Sequence, residues 1–256
     1  MNEKTSLPVS EDFDLQDEKQ GMELYRFNCE KHGEYSVYAL PGYNYFCRCP
    51  ACLHEEKVRL LRAKARIPAR FKDCRFKRFI TEGNDAAELA KNGCKEYAKL
   101  LLTESDPQNI GSLILAGNCG TGKTFLACAI ANALIDRKKS VRYWTANGIV
   151  RAVRSTWNSS PRDCRQPSFS YDADLIEPDL LIVDEVGVQA GSENEQQIIF
   201  DVINARYNEM RPVIVISNED IEGITRFLGP RTFDRLCENG QAIGFSWASY
   251  RRQKTR

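Results

Sequence analysis

The chain has 256 residues, 42% of them hydrophobic and 28% charged, which suits one large domain or one domain plus a small module. A formal net charge of +1 excludes nucleic-acid binding by bulk charge, so any such contact must come from local patches. No apolar run approaches a membrane span, and the acidic, polar N-terminus is unlike a secretory signal.

Residues 1–21 carry Glu3, Glu11, Asp12, Asp14, Asp17 and Glu18 with few apolar residues, the composition of a flexible acidic arm. Residues 22–56 hold Cys29-Glu30-Lys31-His32-Gly33 and then Cys47-Arg48-Cys49-Pro50-Ala51-Cys52, separated by a Tyr/Phe-rich, strand-like insert. Two such short pairs across a hairpin-sized insert have the spacing of a tetrahedral structural zinc site. Cys29, His32, Cys49 and Cys52 are the assigned Zn²⁺ ligands, with Cys47 as the spare and Cys47 with Cys52 as the other pairing. The set leaves no open position for catalysis, and the metal would replace a core that so small a module cannot build.

Residues 57–80 are basic, with ten Lys and Arg between Lys57 and Arg78. Val58, Leu60 and Leu61 predict a helix, which Pro68 ends one residue earlier or so. The stretch reads either as a solvated helix and linker or as a stripe that contacts phosphates.

Residues 81–256 read as an ATPase domain. A helix is predicted over Asp85–Leu102, and Leu113-Ile114-Leu115-Ala116 reads as a buried strand. Next comes Gly117-Asn118-Cys119-Gly120-Thr121-Gly122-Lys123-Thr124, the pattern of a phosphate-binding loop. Its glycines let backbone N–H groups turn inward around phosphate oxygens. Lys123 reaches the β- and γ-phosphates, and Thr124 offers its hydroxyl to Mg²⁺. The following apolar run from Phe125 supplies a helix whose N-terminus faces the anion. A nucleotide site beside ten cysteines suits the reducing cytoplasm.

A second strand is predicted at Val141–Ala146, then a helix over Ile149–Trp157 with Arg151 and Arg154 near one face, and a polar loop from Arg162 to Ser170. Leu180-Leu181-Ile182-Val183-Asp184-Glu185 reads as a buried strand with its acids at the C-terminal end, where parallel sheets bind ligands. Asp184 would hold Mg²⁺, and Glu185 would orient and deprotonate the attacking water. Pro212 to Asn218 is another buried strand, placing Asn218 to reach the γ-phosphate or the lytic water. Arg231 and Arg235 lie four apart on one helix face, suited to neutralising charge at a neighbouring subunit's nucleotide.

On GNCGTGKT, the DLLIVDEVGVQ run of Asp179–Gln189, RPVIVISN, LGPRTFDRL and the closing Phe245–Arg251, residues from about Arg66 to Arg252 resemble the DnaC-type replicative helicase loaders. These are AAA+ ATPases related to the IstB transposition helpers. The resemblance implies an α/β fold, a five-stranded parallel AAA+ sheet sandwiched by helices, here preceded by the small zinc-binding module. It implies that ATP and Mg²⁺ bind at Lys123, Thr124, Asp184 and Glu185, with Asn218 as sensor. Arg235 becomes the trans-acting finger and Arg231 the near alternative. The helix carrying Arg151 and Arg154 falls where related initiators contact single-stranded DNA.

The implied partners are a DnaB-type replicative DNA helicase, single-stranded DNA, and further copies of the chain through the ATP site, with no membrane. Before residue 66 the resemblance fades, because the Cys/His module replaces the loaders' helicase-binding region. An IstB-like helper of a transposase on double-stranded DNA is the same-fold rival. A non-hydrolysing DNA-binding adaptor is the other.

Overall fold

The computed structural model describes residues 21–43, 47–81, 83–157, 169–187 and 193–250. The expected acidic arm (apart from Gly21), most of the polar loop of 162–170, Val188, Gln189 and Arg251 lie outside the described residues. The chain forms two units that part between Lys57 and Val58.

In the first unit, residues alternate between exposed and half-buried along β1 (Glu23–Cys29) and β2 (Gly33–Ala39). The strands pair antiparallel with Cys29 opposite Gly33, so the chain reverses over Glu30–His32. Gly33 takes φ +75° at this reversal, a conformation costly for any residue with a Cβ. Phe27 and Tyr35 stack across the hairpin with ring centroids 5.4 Å apart. Helix α1 (Pro50–Lys64) begins here with Pro50 in its first turn, where a missing N–H costs nothing.

The second unit is built on strands β3 (Leu113–Gly117), β4 (Val141–Thr145), β5 (Leu180–Asp184), β6 (Val213–Ile216) and β7 (Gln241–Phe245). They lie in the order β4-β5-β6-β3-β7, and every pair is parallel. β5 and β6 are apolar almost throughout and fully buried, as strands covered on both faces must be. Helices α2 (Asp85–Thr103), α3 (Lys123–Asp136), α4 (Ala146–Trp157), α5 (Glu193–Asn208), α6 (Ile221–Leu228) and α7 (Pro230–Cys237) complete the unit. Alternation along the strands divides the core in two. Leu113, Leu115, Ile182 and Ile214 pack with α2 and α3, whereas Ile114, Ala116, Leu181, Val183 and Val215 pack with α4 to α7. Two helix starts carry the expected caps, Asn84 accepting from the Ala87 N–H and Asp220 from the Gly223 N–H.

The basic stretch departs from a simple helix and linker. Helix α1 stops at Lys64, short of Pro68, because Arg66 turns to φ +58° and the Ala65 carbonyl accepts the Tyr143 N–H at 2.8 Å. Ala65, Ile67 and Cys74 are buried in the second unit's core. Asn132 of α3 donates to the carbonyls of Phe71 and Cys74 at 3.3 and 3.1 Å. Among the described residues no helix is long and apolar enough to cross a membrane.

Arg206 is an internal fastener that no motif announced. It is fully buried on α5 and donates to the carbonyls of Leu175, Ile176, Pro178 and Pro212 at 2.8 to 3.0 Å. Burial lowers its pKa to about 9, which leaves it charged at neutral pH. These carbonyls precede β5 and β6, so one side chain ties the starts of both strands to α5. Arg206→Met would orphan buried acceptors, and urea unfolding is expected to show a loss of roughly 3 kcal/mol or more. A loss below about 1 kcal/mol would contradict the fastening role.

Candidate nucleotide site and metal cluster

β3 delivers the chain into the phosphate loop through Gly117, whose φ of +121° suits glycine. A Cβ there would come within 2.4 Å of the Phe245 carbonyl oxygen, and one on Gly122 (φ +103°) within 2.5 Å of the Phe79 ring. The loop is therefore held tightly from both sides. Residues 246–250 strap it from behind. The Trp247 indole N–H donates to Thr121 O at 3.2 Å, Tyr250 N–H to Gly120 O at 3.1 Å, and Asn118 Nδ2 to Ser246 O at 2.9 Å. The Asn118 N–H is taken by Phe245 O at 2.8 Å, and with the Gly120 and Thr121 carbonyls turned toward the strap, the N–H groups that follow in the loop and at the N-terminus of α3 are suited to an anion. Lys123 Nζ bonds the Gly117 and Asn118 carbonyls at 2.6 and 2.7 Å.

Asp184 ends β5 within reach of that helix. Its Oδ2 accepts from Thr124 Oγ1 at 2.8 Å and from the Tyr143 hydroxyl at 2.6 Å. Burial, reinforced by the Asp184 charge, holds the Tyr143 phenol far above its ordinary pKa, so it stays protonated and donates. The Glu185 N–H bonds Asp184 Oδ1 at 2.7 Å, and Glu185 itself sits exposed at φ +61°. A left-handed glutamate is strained by about 1 kcal/mol or more, and such strain collects at functional sites. A hydroxyl beside a carboxylate is an all-oxygen donor set, which fits Mg²⁺.

A cavity of about 660 Å³ gathers these groups. It is lined by Cys119–Thr124, Asp184, Glu185 and Asn218, which follows β6. The lining also takes Arg70 and Arg78 from the basic stretch and Tyr250 from the closing motif, together with Phe71, Phe79, Thr81 and Asn84, which were not singled out in the sequence.

The remaining expected residues sit elsewhere. The Arg235 guanidinium bonds Asn204 Oδ1 and lies over the Tyr207 and Phe200 rings, 5.3 and 5.8 Å from their centroids. It lines a separate cavity of about 440 Å³ that shares no residue with the first. Arg231 is exposed one turn earlier on α7. Arg151 is exposed on α4, while Arg154 pairs with Glu195 of α5 at 3.4 Å.

In the first unit, one ligand atom each of Cys29, His32, Cys49 and Cys52 lies within 4.8 Å of all the others. Cys29 and Cys52 sulfurs are 3.6 Å apart, and His32 Nδ1 lies 3.7, 3.6 and 3.4 Å from Cys29, Cys49 and Cys52. Tetrahedral zinc with Zn–S bonds of ~2.3 Å requires edges of roughly 3.7 Å, so the cluster fits that ion. Glu55 lies 3.2 Å from His32 Nε2 and orients the ring with Nδ1 inward. N–H groups of Lys31 and His32 lower the Cys29 pKa to about 6, favouring a thiolate. Cys47 stands apart, with Tyr43 O at 4.0 Å from its sulfur.

Residues 53–256 match the family described as IstB-like ATP binding protein. The replicative helicase loader DnaC of Buchnera aphidicola subsp. Baizongia pistaciae (strain Bp) is 31% identical over 200 residues, 77% of each chain. The chain belongs to the IstB/DnaC family of ATP-binding proteins. Within that family, DnaC of Escherichia coli K12 is 38% identical over 148 residues, 57% of this chain; the matched region spans 59% of the relative's length. A crystal structure of the DnaC helicase loader superposes with a TM-score of 0.58 at 15% identity, covering 69% of this chain and 99% of that one. AMPPCP-bound DnaA from Aquifex aeolicus gives 0.53 at 23% identity over 71% of this chain and 53% of its own. The likeness to these structures shows the fold, a five-stranded parallel sheet flanked by helices.

The cluster geometry separates the cysteines experimentally. Cys49→Ser is expected to lose bound metal, while Cys47→Ser keeps one equivalent, as read by metal analysis of the purified proteins. Equal metal content in both variants would contradict the assignment.

Proposed function

We propose that the chain is an ATP-regulated loader of a DnaB-type replicative DNA helicase. The observation that carries this reading is the meeting of the phosphate loop, Thr124–Asp184, Glu185 and Asn218 in one cavity of an IstB/DnaC-family chain. Relatives named replicative helicase loader support it.

In this reading Lys123 and the loop N–H groups hold the β- and γ-phosphates of ATP, and Thr124 and Asp184 hold Mg²⁺. The metal, when bound, neutralises charge that develops on the phosphates. Glu185 orients and deprotonates the attacking water, and Asn218 reports on the γ-phosphate. Arg235 faces away from its own site, so it serves a neighbouring copy's nucleotide, with Arg231 the alternative on the same helix. Zn²⁺ held by Cys29, His32, Cys49 and Cys52 would shape the first unit as the surface that grips the helicase. Arg151 and Arg154 contact single-stranded DNA, Arg154 by exchanging Glu195 for phosphate. ATP occupancy favours self-association on DNA, and hydrolysis releases the helicase, acting as a switch in the cytoplasm.

The family match itself favours one second reading, an IstB-like helper that acts with a transposase on double-stranded DNA. Glu185 speaks against a non-hydrolysing adaptor. Weighing complexes of the purified chain with the host's replicative helicase, with and without ATP and single-stranded DNA, tests the proposal. Glu185→Gln is expected to accumulate the ATP-bound ternary complex while hydrolysis falls at least about 100-fold. No helicase complex in any state, together with preferential coating of duplex, would favour the transposition reading.

A further inference from the structure

We propose that Tyr143 is a positioning residue for the metal site, fixing the Asp184 carboxylate so that a single acceptor position is left for the ion. This rests on the reading of Thr124 and Asp184 as the Mg²⁺-holding pair.

Tyr143 lies on β4, the edge strand beside β5. In the parallel register it pairs with Ile182, while Thr145 pairs with Asp184, so its side chain reaches diagonally across two residues. Both Tyr143 and Asp184 are buried, at 8% and 6% exposure, and their hydrogen bond of 2.6 Å is short and charge-assisted.

An ionised carboxylate offers roughly four acceptor positions. Three are filled here, two on Oδ2 by Thr124 and Tyr143 and one on Oδ1 by the Glu185 N–H. The donors come from α3, β4 and the turn after β5, and they restrain a carboxylate torsion that is otherwise soft. What remains is one position on Oδ1.

Thr124 cannot do this alone, because its oxygen is also the metal's hydroxyl ligand in the same reading. Tyr143 has no competing task. The strand is itself anchored from its open edge, where the Tyr143 N–H donates to Ala65 O at 2.8 Å. The phenol therefore carries the position of the 65–67 segment and β4 to the metal-binding carboxylate.

Tyr143→Phe keeps the ring and deletes only the donor. The readout is the affinity of a fluorescent ATP analogue, titrated with Mg²⁺ and measured again in EDTA. The Mg²⁺ midpoint is expected to rise roughly three- to tenfold, while affinity in EDTA stays within about twofold of wild type. Mn²⁺ bound in place of Mg²⁺ should give a broadened electron paramagnetic resonance spectrum in the variant. Encoding 4-aminophenylalanine at 143, which keeps both ring length and donor, is expected to restore the wild-type midpoint. If Tyr143→Phe does not fold, 4-methylphenylalanine at 143 carries the same test with the ring's length preserved. An unshifted Mg²⁺ midpoint in a folded variant overturns the assignment while leaving the metal site intact. A wild-type protein whose nucleotide affinity ignores Mg²⁺ overturns the metal-site reading, and this assignment with it.

Discussion

The hydrogen bond from Thr124 to Asp184 joins the two halves of the ATPase unit's chemistry. Thr124 belongs to the helix that follows the phosphate loop, and Asp184 ends a strand that is not even adjacent to β3 in the sheet. Only a parallel sheet in the order β4-β5-β6-β3-β7 brings those ends to one edge, with β6 between them delivering Asn218. The buried apolar strands therefore do more than form a core. Their register sets the distance between the phosphate-loop pattern and the Asp184 carboxylate.

Much of this was legible in the residues. Gly117, Gly120 and Gly122 all take the positive φ that the loop pattern requires, and the acids after Leu180–Val183 emerge at the strand's C-terminal end. The spacing of the cysteines and His32 points to the same four residues, Cys29, His32, Cys49 and Cys52, that the structure gathers. Two features were illegible for a common reason. Arg206 and Tyr143 act through partners distant in sequence, the carbonyls ahead of β5 and β6 and the Asp184 carboxylate. Local periodicity carries no trace of such pairings. The basic stretch was legible as a stripe of cations; that Phe71 and Phe79 join Arg70 and Arg78 in lining the cavity was not, because it depends on packing against a distant loop.

In the proposed reading, the chain's own atoms supply one side of a hydrolysis site. One cavity gathers Glu185, Asn218, Thr124 and Asp184, the proposed base, sensor and metal-binding pair, whereas Arg235 of α7 packs on α5 and lines a separate cavity. That division gives ATP a regulatory use: binding can be completed by one copy, whereas turnover awaits a neighbour. The proposed loader function would need this ordering, since release must follow assembly on DNA. Within the second unit, the Ala65 carbonyl bonds the Tyr143 N–H of β4, and Tyr143 in turn bonds Asp184.

In the proposed reading, this site is complete for binding and half-complete for hydrolysis. The most direct measurement is ATP turnover per subunit across a range of subunit concentrations with single-stranded DNA, alongside nucleotide affinity over the same range. Turnover per subunit is expected to climb with concentration while affinity stays nearly constant. Turnover per subunit that is independent of concentration, down to a demonstrably monomeric sample, would contradict that reading.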